Sequence, residues 1–206
     1  MRTHRDSLEW VEHGTKLFTA QLAELEEQEM AEPSALPGWT RKHLMAHVAA
    51  NADALGNLVH WAETGERTPM YSSAEQRNAD IEAGAKLSAS QLTAWTNRAT
   101  HTLAVAMNDL TEEQWRAEVV TAQGRTVPAT EIPWLRAREV CVHAVDLGTG
   151  LTFADLAEEF LTALVTDIQA KRGLGEVPDG PLPEVAAYLA GRSHSLVDVP
   201  DIGPWL

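Results

Sequence analysis

The sequence predicts a mostly α-helical fold, an up-down helical bundle over residues 1–150 followed by a small C-terminal region over 151–206. Three observations carry that reading. Apolar residues recur by threes and fours through charged segments, helix caps punctuate those segments, and only one short stretch alternates like a strand. At 206 residues, 44% hydrophobic and 22% charged, the chain has ordinary globular composition and can bury one substantial core.

The first helix is marked by Leu8, Val11, Phe18, Leu22 and Leu25 and runs to a stop before Pro33. After the turn Leu36-Pro37-Gly38, Thr40 caps a second helix, with Trp39 and Leu44 placed as a hydrophobic staple. Its inward stripe is Leu44, His47 or Val48, Asn51, Leu55, Leu58 and Ala62, and Gly65 closes it. Gly65 to Ser73 reads as a loop longer than a turn requires. Ser88 with Gln91 and Thr111 with Gln114 match the capping box, so a helix is expected at each, the first with Trp95 in the core. Between Glu118 and Val127, β-branched residues flank Gln123-Gly124 as a small hairpin. A helix then spans Glu131 to Leu147, with Pro133 in its first turn. Beyond Gly150 a further helix carries Phe153, Leu156, Phe160, Leu164 and Ile168, then a Gly/Pro-rich linker leads to a short helix through Arg192.

A formal charge of −14 disfavours nucleic acid and anionic membrane surfaces, which require basic patches. No run approaches a membrane span and Met1–Trp10 is too polar for a signal peptide, so a cytoplasmic protein is expected. Cys141 is the single cysteine, so any metal must be held by nitrogen and oxygen. No phosphate loop, nucleophile elbow or glycosidase carboxylate pair is present. Oligomeric state is not encoded in any recognisable pattern.

The informative anomaly lies in the helix over 131–147. Its inward stripe reads Ile132, Leu135, Glu139, Val142 with His143, then Asp146, placing ionisable groups where aliphatics are expected. Four helical residues turn through about 400°, so Glu139 and His143 share a face one turn apart. A buried carboxylate needs a partner. Together with a core-facing His47, the pair could supply three ligands and leave a fourth tetrahedral position open. The competing reading is a hydrogen-bonded core network, since such pairs also arise by chance. His43 has ligand spacing to His47 too, but it sits beside Lys42 in the first turn and takes a surface or supporting role. Cys141 points away from Glu139 by about 200° and is a buried structural thiol. His4, His13, His60, His101 and His194 stand alone and are assigned no site.

Four stretches carry a family likeness: Gly38-Trp39-Thr40-Arg41 through Ala49, Thr68-Pro69-Met70-Tyr71, Thr121 through Pro128, and Arg138-Glu139 through Gly148. In these the chain resembles the mycothiol-dependent maleylpyruvate isomerases of the DinB-like helical-bundle superfamily. The resemblance implies a four-helix bundle in which His47, Glu139 and His143 hold a divalent metal, usually zinc. It implies that Arg192, in Ala190-Gly191-Arg192, contributes to catalysis. Arg67, Arg77 and Arg125 are weaker candidates whose alternative role is surface charge. The segment from Arg172 to Pro183 is shorter than the family's mixed α/β insertion, which implies a shortened C-terminal region. The chemistry implied is conversion of maleylpyruvate to fumarylpyruvate in gentisate-type aromatic catabolism, with mycothiol as thiol cofactor. Thiolate addition, rotation about the resulting single bond and elimination would return the thiol unchanged. Two alternatives stand beside it: a mycothiol S-transferase acting on another electrophile, and a non-catalytic helical binding module.

Overall fold

The computed structural model describes residues 2–205, which form two compact units, one over residues 4–148 and one made of residues 2–3 with 149–205. In the larger unit α1 (His4–Ala23) buries Ser7, Trp10, Gly14, Phe18 and Leu22, the spacing of one helical face. It stops earlier than its apolar pattern suggests. A separate short α2 (Glu27–Met30) follows, started by a capping box between Glu26 and Glu29 and anchored by buried Met30.

Helix α3 (Arg41–Thr64) starts at Thr40 and ends at Gly65, whose φ of 76° is the left-handed cap that favours glycine. The box at its start is closed by an imidazole: Thr40 Oγ1 accepts from the His43 N–H, and His43 Nδ1 accepts from the Thr40 N–H at 3.3 Å. The supporting role read for His43 is therefore that of a helix cap. The Trp39 ring packs against His47 at an inclination of 57°, with ring centroids 5.4 Å apart.

The sequence pattern misses α4 (Ala74–Gly84). The helix buries only Ile81 and Gly84, too thin a stripe to register as periodicity. Its signal is the cap, where Ser73 Oγ accepts from the Gln76 N–H at 3.1 Å. At its other end a Cβ on Gly84 would fall 2.6 Å from the Ala46 Cβ, so the missing side chain lets α4 approach α3.

Helix α5 (Ala89–Asp109) starts at the expected Ser88–Gln91 capping box and packs along α3. Trp95 is half-buried rather than core, because its indole N–H reaches the exposed Asp53 carboxylate at 2.8 Å. The box at Thr111 and Gln114 forms, with the Thr111 N–H donating to Gln114 Oε1 at 2.8 Å, but no α-helix follows. A single 3-10 turn (Gln114–Arg116) gives way to β1 (Glu118–Val120). A capping box specifies a start and says nothing of length. Strand β1 pairs antiparallel with β2 (Thr126–Pro128), Val119 opposite Val127, and Val119 roofs the core below α3 and α5.

Helix α6 (Ile132–Asp146) lies within one residue of its expected bounds at each end. The single inward stripe is corrected, since all its residues except Glu139 and Val145 are buried. The helix packs against α1 and α3, so several faces are apolar at once. Contact with α1 is close at Gly14, where a Cβ would fall 2.5 Å from Cys141 Sγ. That thiol donates to the Trp10 carbonyl at 3.6 Å, and burial pushes its pKa far up.

In the smaller unit the helix expected from Phe153 is broken into a 3-10 turn (Phe153–Asp155) and α7 (Glu158–Arg172), separated where Leu156 is extended. Helix α8 (Leu182–Leu189) ends before Gly191 and Arg192, earlier than expected. No strand occurs among the described residues of this unit. The Arg172 guanidinium donates to the carbonyls of Ile202, Gly203 and Pro204 and ties the tail to α7. Among the described residues no helix is long and apolar enough to cross a membrane.

Candidate metal centre

Loop contacts bring α3 and α6 into register. The carbonyls at the end of α6 lack helical partners. The Arg41 Nε donates to Leu147 O at 2.8 Å and Nη2 to Gly148 O at 3.3 Å, while the Ala35 N–H donates to Asp146 O at 2.8 Å. The Gly-Trp-Thr-Arg stretch thus starts α3 and fastens that start to the end of α6. Farther along both helices, Arg136 is buried between α3 and α5 at 1% exposure, and its Nη1 donates to Val48 O at 2.7 Å and Asn51 Oδ1 at 2.9 Å. Its Nη2 reaches Thr100 Oγ1 at 3.2 Å.

Between these two fastenings His47, Glu139 and His143 converge. His47 Nε2 lies 2.9 Å from Glu139 Oε2 and 3.2 Å from His143 Nε2, and His143 Nε2 lies 3.2 Å from Glu139 Oε2. The imidazoles are buried, and Glu139 keeps 13% of its side chain exposed, so the cluster has one face toward solvent. On the far side His143 Nδ1 contacts Asp146 Oδ2 at 2.8 Å, with Asp146 wholly buried. That contact takes the Nδ1 proton and turns Nε2 inward.

The electrostatics follow from this packing. Burial alone would raise the Glu139 pKa, but His47 and His143 hold it well below the usual carboxylate range. Burial pulls His143 down, yet its hydrogen bonds to Asp146 and Glu139 keep its pKa raised overall. At His47 burial prevails over Glu139 and the pKa is lowered. An ionised carboxylate and two imidazoles whose nitrogens meet at one point form a donor set suited to a divalent cation. The arrangement fits a metal on that chemistry. Asp146→Asn should lower divalent-metal affinity by roughly ten- to hundredfold, measured by competition with a chromophoric chelator, because the amide cannot fix the His143 tautomer as the carboxylate does.

Tyr71 and Arg77 complete the surroundings. Arg77 Nη2 lies 3.2 Å from His47 Nδ1, and its guanidinium sits 5.9 Å from the Tyr71 ring. Burial raises the Tyr71 pKa, so the phenol stays protonated. Tyr71 also lines an open cleft of about 500 Å³ with Asp53, Asn57, Gln76, Asp80 and Trp95, along α3, α4 and α5. His47, Glu139 and His143 do not line it.

His13, His60 and His101 are exposed, His4 meets Trp115 edge-to-face, and His194 meets Tyr188 edge-to-face. Arg192 belongs to the smaller unit, where its Nη1 donates to Ala190 O at 2.6 Å and it borders a second cleft with Tyr188 and His194. Arg67 sits over the Trp61 ring, and Arg125 is exposed. Sequence reasoning overlooked Arg136, because a charge inside an apolar helix pattern looks like an outward residue until the neighbouring helix is in place.

The family model described as Mycothiol maleylpyruvate isomerase N-terminal domain matches residues 11–148. Among solved structures the chain is similar to mycothiol-dependent maleylpyruvate isomerase, at 39% identity and a TM-score of 0.91 over 99% of this chain and 98% of that one. It is equally similar to a histidine-to-alanine mutant of that enzyme, at 39% identity and a TM-score of 0.90 with the same coverage. No curated protein matches. With the family match covering well over half its length and the likeness extending across nearly all of it, this chain belongs to the mycothiol-dependent maleylpyruvate isomerase family, isomerases built on a DinB-like helical bundle.

Proposed function

We propose that this protein converts maleylpyruvate to fumarylpyruvate, using mycothiol and a divalent metal, zinc by preference, held by His47, Glu139 and His143. The observation that carries the reading is the meeting of those three donors from α3 and α6 in a chain of this family. When bound, the metal supplies Lewis acidity to a thiol sulfur, and mycothiol supplies that sulfur as a nucleophile that can add and leave.

The chain's own residues account for the rest. Glu139 contributes a negative charge that offsets part of the cation's, and Asp146 holds His143 in the tautomer that presents Nε2. Trp39 packs on His47 and limits how the ring can turn. Cys141 cannot serve as the nucleophile: it is buried, faces Trp10 and has a raised pKa, so the thiol must come from outside. Arg192 is proposed to hold a substrate carboxylate or the negative charge that develops on it, since a guanidinium matches carboxylate geometry at two points.

The test is to assay purified protein with maleylpyruvate, with and without mycothiol and after chelation. We expect fumarylpyruvate to form only when thiol and metal are both present, and titratable thiol to be fully recovered. A stable thiol conjugate with matching loss of free thiol would replace the isomerase reading with an S-transferase.

A further inference from the structure

We propose that Arg77, with the Tyr71 side chain beside it, is a substrate-binding residue that takes one carboxylate of the substrate and is released for that task when His47 binds metal. The proposal rests on the reading above, in which the substrate is a dicarboxylate bound at a metal-loaded site.

Three observations carry it. First, Arg77 is half-buried beside His47, yet no ion pair joins it to any carboxylate among the described residues. Its side-chain acceptors are His47 Nδ1 at 3.2 Å and the Asn78 side-chain oxygen at 3.2 Å, and its guanidinium sits 5.9 Å from the Tyr71 ring. A guanidinium has five donors and favours planar, bidentate anions, so these partners leave capacity unused.

Second, the His47 contact is incompatible with a metal-ligating His47. A guanidinium only donates, so His47 Nδ1 must carry the lone pair and Nε2 the proton, which goes to Glu139 Oε2 at 2.9 Å. When Nε2 gives its lone pair to a cation, the proton resides on Nδ1, and N–H then faces N–H. Arg77 must leave that acceptor, and its freed donors lie beside the His47 ring. Arg136 cannot take the same task, because Val48, Asn51 and Thr100 occupy its donors within the core.

Third, Tyr71 is placed to act with Arg77. Its ring lies 5.9 Å from the Arg77 guanidinium, and Asn57 Nδ2 donates to the Pro69 and Met70 carbonyls at 3.3 Å, so the loop before α4 is held against α3. A phenol that stays protonated adds a neutral donor to the guanidinium's charged ones.

The experiment measures zinc content and maleate binding by isothermal titration calorimetry, on the zinc-loaded full chain and its Arg77→Gln and Arg77→Lys variants, with KM and kcat for maleylpyruvate in parallel. We expect zinc to stay stoichiometric in both variants. Maleate affinity should fall roughly ten- to hundredfold in Arg77→Gln, with partial recovery in Arg77→Lys, and the loss should appear in KM more than in kcat. Zinc-free wild type should bind maleate more weakly than the zinc-loaded protein. Unchanged maleate affinity in Arg77→Gln, no maleate binding by zinc-loaded wild type, or loss of zinc from Arg77→Gln each overturns the proposal. Arg77-dependent maleate binding without turnover of maleylpyruvate would sustain the clamp and refute the isomerase reading. Turnover with an unchanged KM in Arg77→Gln would do the reverse.

Discussion

Glu139→Ala should abolish stoichiometric metal binding, lowering affinity by more than about a hundredfold, since it removes a proposed ligand rather than a group supporting one. Turnover should fall with it. Metal analysis of the variant purified without chelator checks the first expectation, and full metal content would refute the ligand assignment. The far-UV circular dichroism of the variant should remain helical, because α6 is anchored by Trp134, Val140 and Val142 independently of this carboxylate.

The same substitution has a pH signature in metal-free protein. The Glu139 pKa is held down in the fold, so its stabilising contribution is present above the ordinary carboxylate pKa and is lost as pH falls through the depressed value. The wild type should therefore exceed Glu139→Ala in stability at neutral pH, with the gap closing in acid. Denaturant titrations at several pH values read this directly, and a gap independent of pH would refute the electrostatic account.

The largest stability effect is expected at Arg136. Arg136→Ala removes three hydrogen bonds and opens a cavity between α3, α5 and α6, and should cost about 3–5 kcal/mol. For a chain of this size that corresponds to a fall in Tm of roughly 6–20 °C. Arg136→Met decides which component dominates. It keeps most of the volume but leaves Asn51 Oδ1 and Val48 O without the guanidinium, and should cost about 1–3 kcal/mol. The guanidinium is itself expensive to bury, its pKa pulled down to about 10 by desolvation. Wild-type stability in Arg136→Met would mean that this cost cancels its hydrogen bonds.

Much of the fold was legible because it is written in short-range chemistry. Thr40, Gly65, Ser88 and the hairpin around Gln123-Gly124 each satisfy backbone groups within a few residues, so their meaning does not depend on the rest of the chain. Where the reading missed, the deciding partner was distant. Helix α4 has a local cap at Ser73 but too little apolar surface to announce itself, and it is held by close approach of Gly84 to Ala46. Thr111 and Gln114 form their box without a helix because the next residues are claimed by pairing with β2. Trp95 looked like core by spacing, and Asp53 draws its indole to the surface.

The candidate site divides along the same line. Helical periodicity alone sets Glu139 and His143 on one face with Asp146 one turn on, and excludes Cys141 from that face, because 3.6 residues per turn is a property of the backbone. The aliphatic register favours His47 over His43 as the inward histidine and leaves Arg77 as one of three weaker arginine candidates. Only tertiary packing brings His47 and Arg77 to the site. Arg41 fastens α3 to the end of α6 so that His47 meets Glu139, Thr40 occupies His43 as a cap, and α4 carries Arg77 to the imidazole. Local sequence fixes which side chains share a helix face. Which face meets which is settled by burial of α6 on several sides at once, and that long-range packing cannot be read one segment at a time.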